Sequence, residues 1–209
     1  MGSAIKLLFL FGSLLLISGC SFLYEDVSES GQAETIIDVT TSETPWEMVS
    51  FEAVNQDGED RSDSYYEGDW WIAKTIFTRC PTVCMVMTPN MVSLQQELED
   101  QETDLQIVSF TVDPDFDDPD QLTEYGESYG ADFSNWDFLT GYDDEMIREL
   151  VLESFKAQVM ELPEQSDIMH PVRFYLMNPE GQIVRMYTGE SNFDLDATVE
   201  DIQQLLNES

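Results

Sequence analysis

Two cysteines separated by three residues are the side chains of this sequence best suited to chemistry. Cys80 and Cys84 lie in the segment TRCPTVCMVM, residues 78–87. Pro81 is favoured at the first position of a helix, which predicts Cys80 at the N-cap and Cys84 one turn inside. The positive end of the helix dipole would favour the thiolate form of both side chains. The pair could therefore serve as a disulfide staple, a redox-active thiol pair or two ligands of a soft metal ion.

The spacing of the pair argues against a structural staple. Closing so short a loop stabilises a fold by only about 2 kcal/mol in the chain-entropy model, against about 4.7 kcal/mol for a loop of about 100 residues. Residues four apart on a helix have Cβ atoms about 5 to 6 Å apart, whereas a disulfide needs about 3.5 to 4.5 Å. A disulfide here would thus be strained and reducible.

A redox pair and a metal site both remain open. A thiol pair where a strand meets a helix resembles thioredoxin, but the thioredoxin motif has two intervening residues and this one has three. The extra residue leaves room for both sulfurs to bind one soft ion, such as Cu(I). His170 is the only histidine that could complete such a site. A lone histidine is more often a core or surface residue, so its position alone does not decide the question.

The elements that must position these residues alternate between strand and helix. Residues 45–209 are predicted to form the folded domain. The apolar segment DWWIAKTIFT predicts a buried strand directly before the cysteines. The further elements are a hairpin around the turn at 55–58, a helix from the cysteines to about 99, a strand at 105–112, a helix at 119–129, a short strand in WDFLTG, a helix at about 144–159, a hairpin around 178–181 and a helix at about 194–206. This order indicates an α/β domain of three layers with a mixed sheet.

The first residues predict export and lipidation. Residues 1–19 contain one lysine and an apolar run that is shorter than the roughly 20 residues needed to span a bilayer. The ending LISGC resembles the bacterial lipobox, in which the cysteine becomes the lipid-modified first residue. Cys20 is therefore the predicted lipidation site, and residues 20–44, rich in Ser, Thr, Glu and Gly, the predicted flexible tether. We expect a domain anchored to the cell membrane on its extracytoplasmic face.

The strongly negative net charge limits the partners that this chain can bind. With 8 basic and 43 acidic residues, the formal net charge is −35, which disfavours nucleic acid and anionic lipid as partners. The acidic segment DPDFDDPD, residues 113–120, lacks the central Gly and terminal Glu of an EF-hand loop, so it does not predict calcium binding. The spread of acids along the chain suits a solvated surface at high salt or high external pH.

Four segments in this order resemble the Sco (SenC) family of copper-binding, thioredoxin-like proteins: FTRCPTVCMVMTPNM, IVSFTVDPDFDDP, NWDFLTGY and MHPVRFYLMNPEGQIV. The similarity covers about residues 45–206 and implies a thioredoxin-like fold with an added hairpin near its start. It also implies that Cys80, Cys84 and His170 bind copper, as Cu(I) or Cu(II), and that the two cysteines are redox-active and can form a disulfide. Asp113 matches an Asp-Pro pair of the family, which suggests an outer partner of the ligands; a simple strand-ending turn is the alternative.

The resemblance implies delivery of copper to the CuA site of cytochrome c oxidase subunit II, or reduction of its cysteines. The predicted function is accordingly a lipid-anchored copper metallochaperone, with thiol-disulfide oxidoreductases as further partners, and whether it is also an enzyme stays open. One alternative is an extracytoplasmic thiol-disulfide oxidoreductase or thiol peroxidase that uses no metal. Another is a binding lipoprotein whose cysteines are incidental.

Overall fold

The computed structural model describes residues 35–208. The predicted signal peptide, the lipidation site Cys20 and the first part of the predicted tether lie outside the described residues. Within the described part of the chain, no helix is both long and apolar enough to cross a membrane.

The described residues form eleven strands and four α-helices, together with two short 3₁₀ turns. The strands are β1 (Ile36–Asp38), β2 (Trp46–Glu47), β3 (Glu52–Val54), β4 (Asp60–Ser62), β5 (Trp71–Ile76), β6 (Gln106–Thr111), β7 (Trp136–Leu139), β8 (Met160–Leu162), β9 (Asp167–Met169), β10 (Arg173–Met177) and β11 (Gln182–Thr188). The helices are α1 (Cys84–Asp100), α2 (Pro119–Tyr129), α3 (Asp144–Glu153) and α4 (Leu195–Glu208).

A mixed sheet forms the centre of the fold, in the order β1-β11-β10-β5-β6-β7, with β2 also paired to β11. Strands β5, β6 and β7 run parallel, whereas β10 is antiparallel to both β5 and β11. The β3–β4 hairpin forms a separate small sheet near the start of the described residues. The α/β class, the mixed sheet and the N-terminal hairpin predicted from the sequence are thus confirmed.

The strand before the cysteines is buried along its whole length. Every residue of β5 is buried, as are Phe110 of β6 and Trp136 of β7. A central parallel strand is covered on both faces, which explains why its sequence is a continuous apolar run rather than an alternating one. Lys74 is the exception in this run, because it is charged and yet fully buried.

The sheet order brings distant parts of the chain to one edge. Cys80 follows the carboxyl end of β5, and Asp113 follows the carboxyl end of the parallel strand β6. Strand β10 is antiparallel to β5, with Tyr175 opposite Ala73, so the start of β10 lies beside the end of β5. His170, just before β10, therefore comes close to the cysteines despite its distance along the chain.

Two segments differ from the sequence prediction. Ile36–Asp38, within the predicted tether of residues 20–44, pairs with β11 as an edge strand, so the sheet begins before the predicted domain start at residue 45. The predicted helix at 144–159 ends at Glu153. The chain turns at Lys156, whose φ of 54° is left-handed, and then forms the unpredicted β8–β9 hairpin. Strands β1, β8 and β9 are each only three residues long, too short for a periodic pattern.

Candidate metal centre

Cys80, Cys84 and His170 form one cluster. Their sulfur and ring nitrogen atoms all lie within 4.8 Å of one another, and the Cys84 Sγ is 3.6 Å from the His170 Nε2. Cys84 and His170 are 1% and 6% exposed, whereas Cys80 is only partly buried. Both cysteines are free thiols in the structure. The structure thus brings together the three side chains that the sequence analysis identified as metal ligands.

The helix that contains Cys84 begins later than the sequence predicted. The first residue of α1 is Cys84, with Val83 at the N-cap, so the prediction that placed Cys80 at the N-cap is wrong. The Cys84 backbone N–H nevertheless donates to the Cys80 Sγ at 3.4 Å. The sulfur of Cys80 therefore still faces the positive end of the helix, which favours a negative charge there.

The two thiols are not equivalent. A hydrogen bond from the Cys84 side chain, with smaller contributions from backbone N–H groups, lowers the pKa of Cys80 well below its ordinary value. The same hydrogen bond to Cys80, together with burial, raises the pKa of Cys84. In the metal-free protein Cys80 is accordingly the partly exposed thiolate, and Cys84 is the buried thiol beside it.

Hydrogen bonds fix the orientation of the His170 ring. Its Nδ1 lies 2.9 Å from the Thr75 Oγ1 and 3.0 Å from the backbone oxygen of Pro171. A carbonyl oxygen can only accept, so Nδ1 carries the proton and donates. The neutral ring then presents the lone pair of Nε2 towards Cys84, which is the tautomer a metal-binding imidazole needs.

Replacing Thr75 by valine tests this arrangement, because valine has the same shape but no hydroxyl. We expect the affinity for Cu(II) to fall by about 10- to 100-fold, the usual cost of losing an outer hydrogen-bonding partner of a ligand. A competition titration of the reduced domain measures it. Thr198→Val is the matched control, since Thr198 lies on α4 and its buried hydroxyl donates to the Asp194 backbone carbonyl just before that helix. Equal copper affinities for the two variants would contradict a role for Thr75 in orienting His170.

The structure places Asp113 beside Arg79, rather than beside a ligand. Its Oδ2 accepts from the Arg79 Nη2 at 2.5 Å and from the Nε at 3.1 Å. Among the described hydrogen bonds, none joins Asp113 to Cys80, Cys84 or His170. Asp113 can therefore act on the ligands only by holding Arg79, the residue before Cys80.

Asp117 supports the cysteine loop, a role that its sequence context does not indicate. This fully buried carboxylate accepts from the Thr78 backbone N–H at 3.1 Å and from the hydroxyls of Thr78 and Thr111. Burial raises its pKa above the ordinary value. It ties the start of the cysteine loop to the end of β6. Nothing in the acidic segment DPDFDDPD distinguishes this one acid from its neighbours.

Asp117→Ala should destabilise the fold by about 2 to 3 kcal/mol, because it leaves donors of the half-buried Thr78 and the buried Thr111 without a partner. Urea unfolding of the reduced, metal-free domain measures the loss. Asp115→Ala removes an exposed acid from the same segment and should change stability by less than about 0.5 kcal/mol. If the two variants unfold at the same urea concentration, Asp117 does not hold the loop.

Comparison with known proteins agrees with this geometry. The SCO1/SenC family model matches residues 39–207. A crystal structure of a SCO1/SenC family lipoprotein from Bacillus anthracis is 36% identical, with a TM-score of 0.74, over 78% of this chain and 96% of that chain. BsSco, described as a member of the Sco family of cytochrome c oxidase assembly proteins with a disulfide switch, is 39% identical, with a TM-score of 0.70, over 77% and 93% of the two chains.

A third solved structure, ScoI of Arabidopsis thaliana with copper bound, is 25% identical, with a TM-score of 0.66, over 77% of this chain and 98% of that chain. These likenesses confirm the thioredoxin-like fold that the sequence resemblance implied. Because the family model spans most of the sequence, from the residue after β1 into the last turn of α4, the chain belongs to the SCO1/SenC family.

Proposed function

We propose that this protein is a membrane-anchored copper metallochaperone that serves assembly of the CuA site of cytochrome c oxidase. The observation that carries the proposal is the cluster of Cys80, Cys84 and His170, in which an imidazole Nε2 with a free lone pair faces a buried sulfur. Two thiolates and a neutral imidazole suit copper, and the thiolates favour Cu(I). The copper-bound structure of the Arabidopsis relative supports copper as the ion.

The different exposure of the three ligands suits a cargo rather than a permanent cofactor. Cys84 and His170 lie inside the protein, whereas Cys80 is partly exposed. A client thiolate could approach the ion from the side of Cys80 and replace that ligand first. Cys84 and His170 would hold copper until the exchange is complete.

The proposed client is subunit II of the oxidase, on the outer face of the membrane. The description of BsSco as a member of a family of cytochrome c oxidase assembly proteins supports an oxidase client. Anchoring through Cys20 would hold the domain near a membrane-bound client, and the Bacillus anthracis relative, described as a lipoprotein, supports that anchor. Thiol-disulfide oxidoreductases that keep the cysteine pair reduced are the further proposed partners.

A second candidate function is reduction of client cysteines by the same pair. The favourable observation is the partly exposed thiolate of Cys80 next to the buried thiol of Cys84. Cys80 would attack a client disulfide and form a mixed disulfide, which Cys84 would resolve, leaving a reduced client and a Cys80–Cys84 disulfide. The disulfide switch named for BsSco supports this chemistry.

Oxidase activity in cells that lack this protein separates the two functions. We expect low activity that the wild-type gene restores and that a Cys80→Ser, Cys84→Ser gene does not. Recovery on addition of copper alone indicates copper delivery, whereas recovery only on addition of a thiol reductant indicates cysteine reduction. Full oxidase activity with the double variant would overturn both candidates.

A further inference from the structure

Lys74 is a buried cation next to the cysteine cluster. It lies in β5, the strand that leads to Cys80, and its side chain is completely buried. Neighbouring residues of a strand face opposite sides of the sheet. Thr75 accordingly reaches His170, whereas Lys74 reaches α1, the helix that begins at Cys84.

The contacts of Lys74 do not neutralise its charge. Its Nζ donates to the Thr88 Oγ1 at 2.7 Å, and the Thr88 hydroxyl is in turn 2.6 Å from the Tyr125 hydroxyl. The Nζ also lies 5.6 Å from the centre of the Trp136 ring, where a cation is weakly attracted. Among the ion pairs of residues 35–208, none includes Lys74. All of these contacts are with neutral groups.

Lys74 lies behind the cysteine pair. Thr88 is one helical turn after Cys84, so the ammonium group lies one turn behind the site. Burial lowers the pKa of Lys74 to about 7, and negative charge on the cysteine pair acts against that shift by favouring the protonated amine.

The charge of the centre depends on the state of copper. Two thiolates and a neutral imidazole carry a charge of −1 with Cu(I) and 0 with Cu(II). A disulfide is neutral, whereas the dithiol with Cys80 ionised is negative. A nearby buried cation therefore stabilises the Cu(I) form over the Cu(II) form and the dithiol over the disulfide. Weak screening in the protein interior strengthens this effect.

We infer that Lys74 determines the specificity of this centre, as a buried positive charge that favours Cu(I) over Cu(II) and the dithiol over the disulfide. The copper part of this inference rests on the proposed function, and the thiol part does not. Lys74 acts through the ligands and binds no copper itself.

A purely structural role predicts a different outcome. Burying a charged amine without an anionic partner costs stability, so replacing it by an apolar side chain of similar length should leave the fold unchanged or more stable. If Lys74 were present for packing, Lys74→Met would destabilise the fold and leave the copper preference unchanged. We expect Lys74→Met to leave the fold at least as stable and to change the copper preference.

The first measurement is the ratio of Cu(I) to Cu(II) affinity, obtained by competition with chelators specific for each ion. We expect Lys74→Met to lower this ratio by about tenfold, or about 1.4 kcal/mol. Lys156→Met is the matched control, because Lys156 is exposed and its Nζ donates only to the Glu153 carbonyl among the described contacts. A ratio for Lys74→Met within twofold of the control would overturn the copper part of the inference.

The second measurement needs no metal. The copper-free protein is equilibrated with dithiothreitol and its cyclic disulfide, so that one dithiol reduces one protein disulfide. We expect Lys74→Met to shift this equilibrium towards the protein disulfide by about tenfold, which is about 30 mV for a two-electron couple. An unchanged equilibrium would overturn the thiol part.

A second variant guards against loss of folding and separates charge from hydrogen bonding. Lys74→Gln keeps a donor for Thr88 but removes the charge, and should give the same shifts as Lys74→Met. Wild-type values in Lys74→Gln would overturn the electrostatic role. Failure of the wild type to bind copper would overturn the proposed function alone, because the dithiothreitol equilibrium would still test Lys74.

Discussion

Cys84→Ser should abolish tight copper binding, with a loss well beyond the roughly 10- to 100-fold expected for an outer partner of a ligand. Thiolate sulfur is the soft ligand that selects Cu(I), and a serine hydroxyl neither ionises near neutral pH nor offers a soft donor. Cys84 is almost fully buried and lies 3.6 Å from the His170 Nε2, so no solvent-exposed group can take its place. Competition titration of the reduced domain with Cu(I) measures the effect.

Cys80→Ser provides the comparison within the same loop. It should weaken copper binding to a similar degree, but its partly exposed position predicts little change in folding stability. Thr198→Val again serves as a variant remote from the cluster that should keep wild-type affinity. If Cys84→Ser binds Cu(I) within tenfold of the wild type, the buried sulfur is not a ligand.

His170→Ala should separate the two oxidation states of copper. Two thiolates already satisfy a soft monovalent ion, so we expect the affinity for Cu(I) to fall by less than about tenfold. Cu(II) depends more on nitrogen, so its affinity should fall by more than about 100-fold. The measurement is a pair of chelator competitions, together with the visible absorption of the Cu(II) form.

The control for His170→Ala is Thr75→Val, which keeps the imidazole and loses only its partner at Nδ1. Its effect on Cu(II) should be smaller than that of His170→Ala. His170→Ala should thus weaken Cu(II) binding more than Cu(I) binding. Lys74→Met should do the opposite and weaken Cu(I) binding relative to Cu(II) binding. Equal losses of both ions in His170→Ala would argue that the imidazole does not contact the metal.

The sequence predicts the strands and helices around the site well where they are long and apolar. The run before the cysteines is β5, and the segment QIVRMYT is the strand β11. The short β8–β9 hairpin escaped prediction because three-residue strands with exposed and half-buried side chains carry no periodic signal. The proximity of His170 to the cysteines depends on the antiparallel pairing of β10 with β5, which composition and spacing do not reveal.

The ligand residues are easier to predict than the residues that support them. Cysteine and histidine are rare in this chain and have few other uses, so their types alone draw attention. Thr75 and Lys74 lie inside an apolar strand, where only the fold shows which element each one faces. Asp117 and Asp113 share one acidic segment, and only the structure shows that the first is buried and hydrogen-bonded to the cysteine loop while the second pairs with Arg79.

The most direct test of the account is X-ray absorption spectroscopy of the reduced domain loaded with Cu(I), compared with His170→Ala under the same conditions. We expect one copper ion per chain, bound by two sulfur atoms and one imidazole nitrogen, with the imidazole signal absent from the variant. Copper bound without sulfur, or an imidazole signal that persists in His170→Ala, would contradict it.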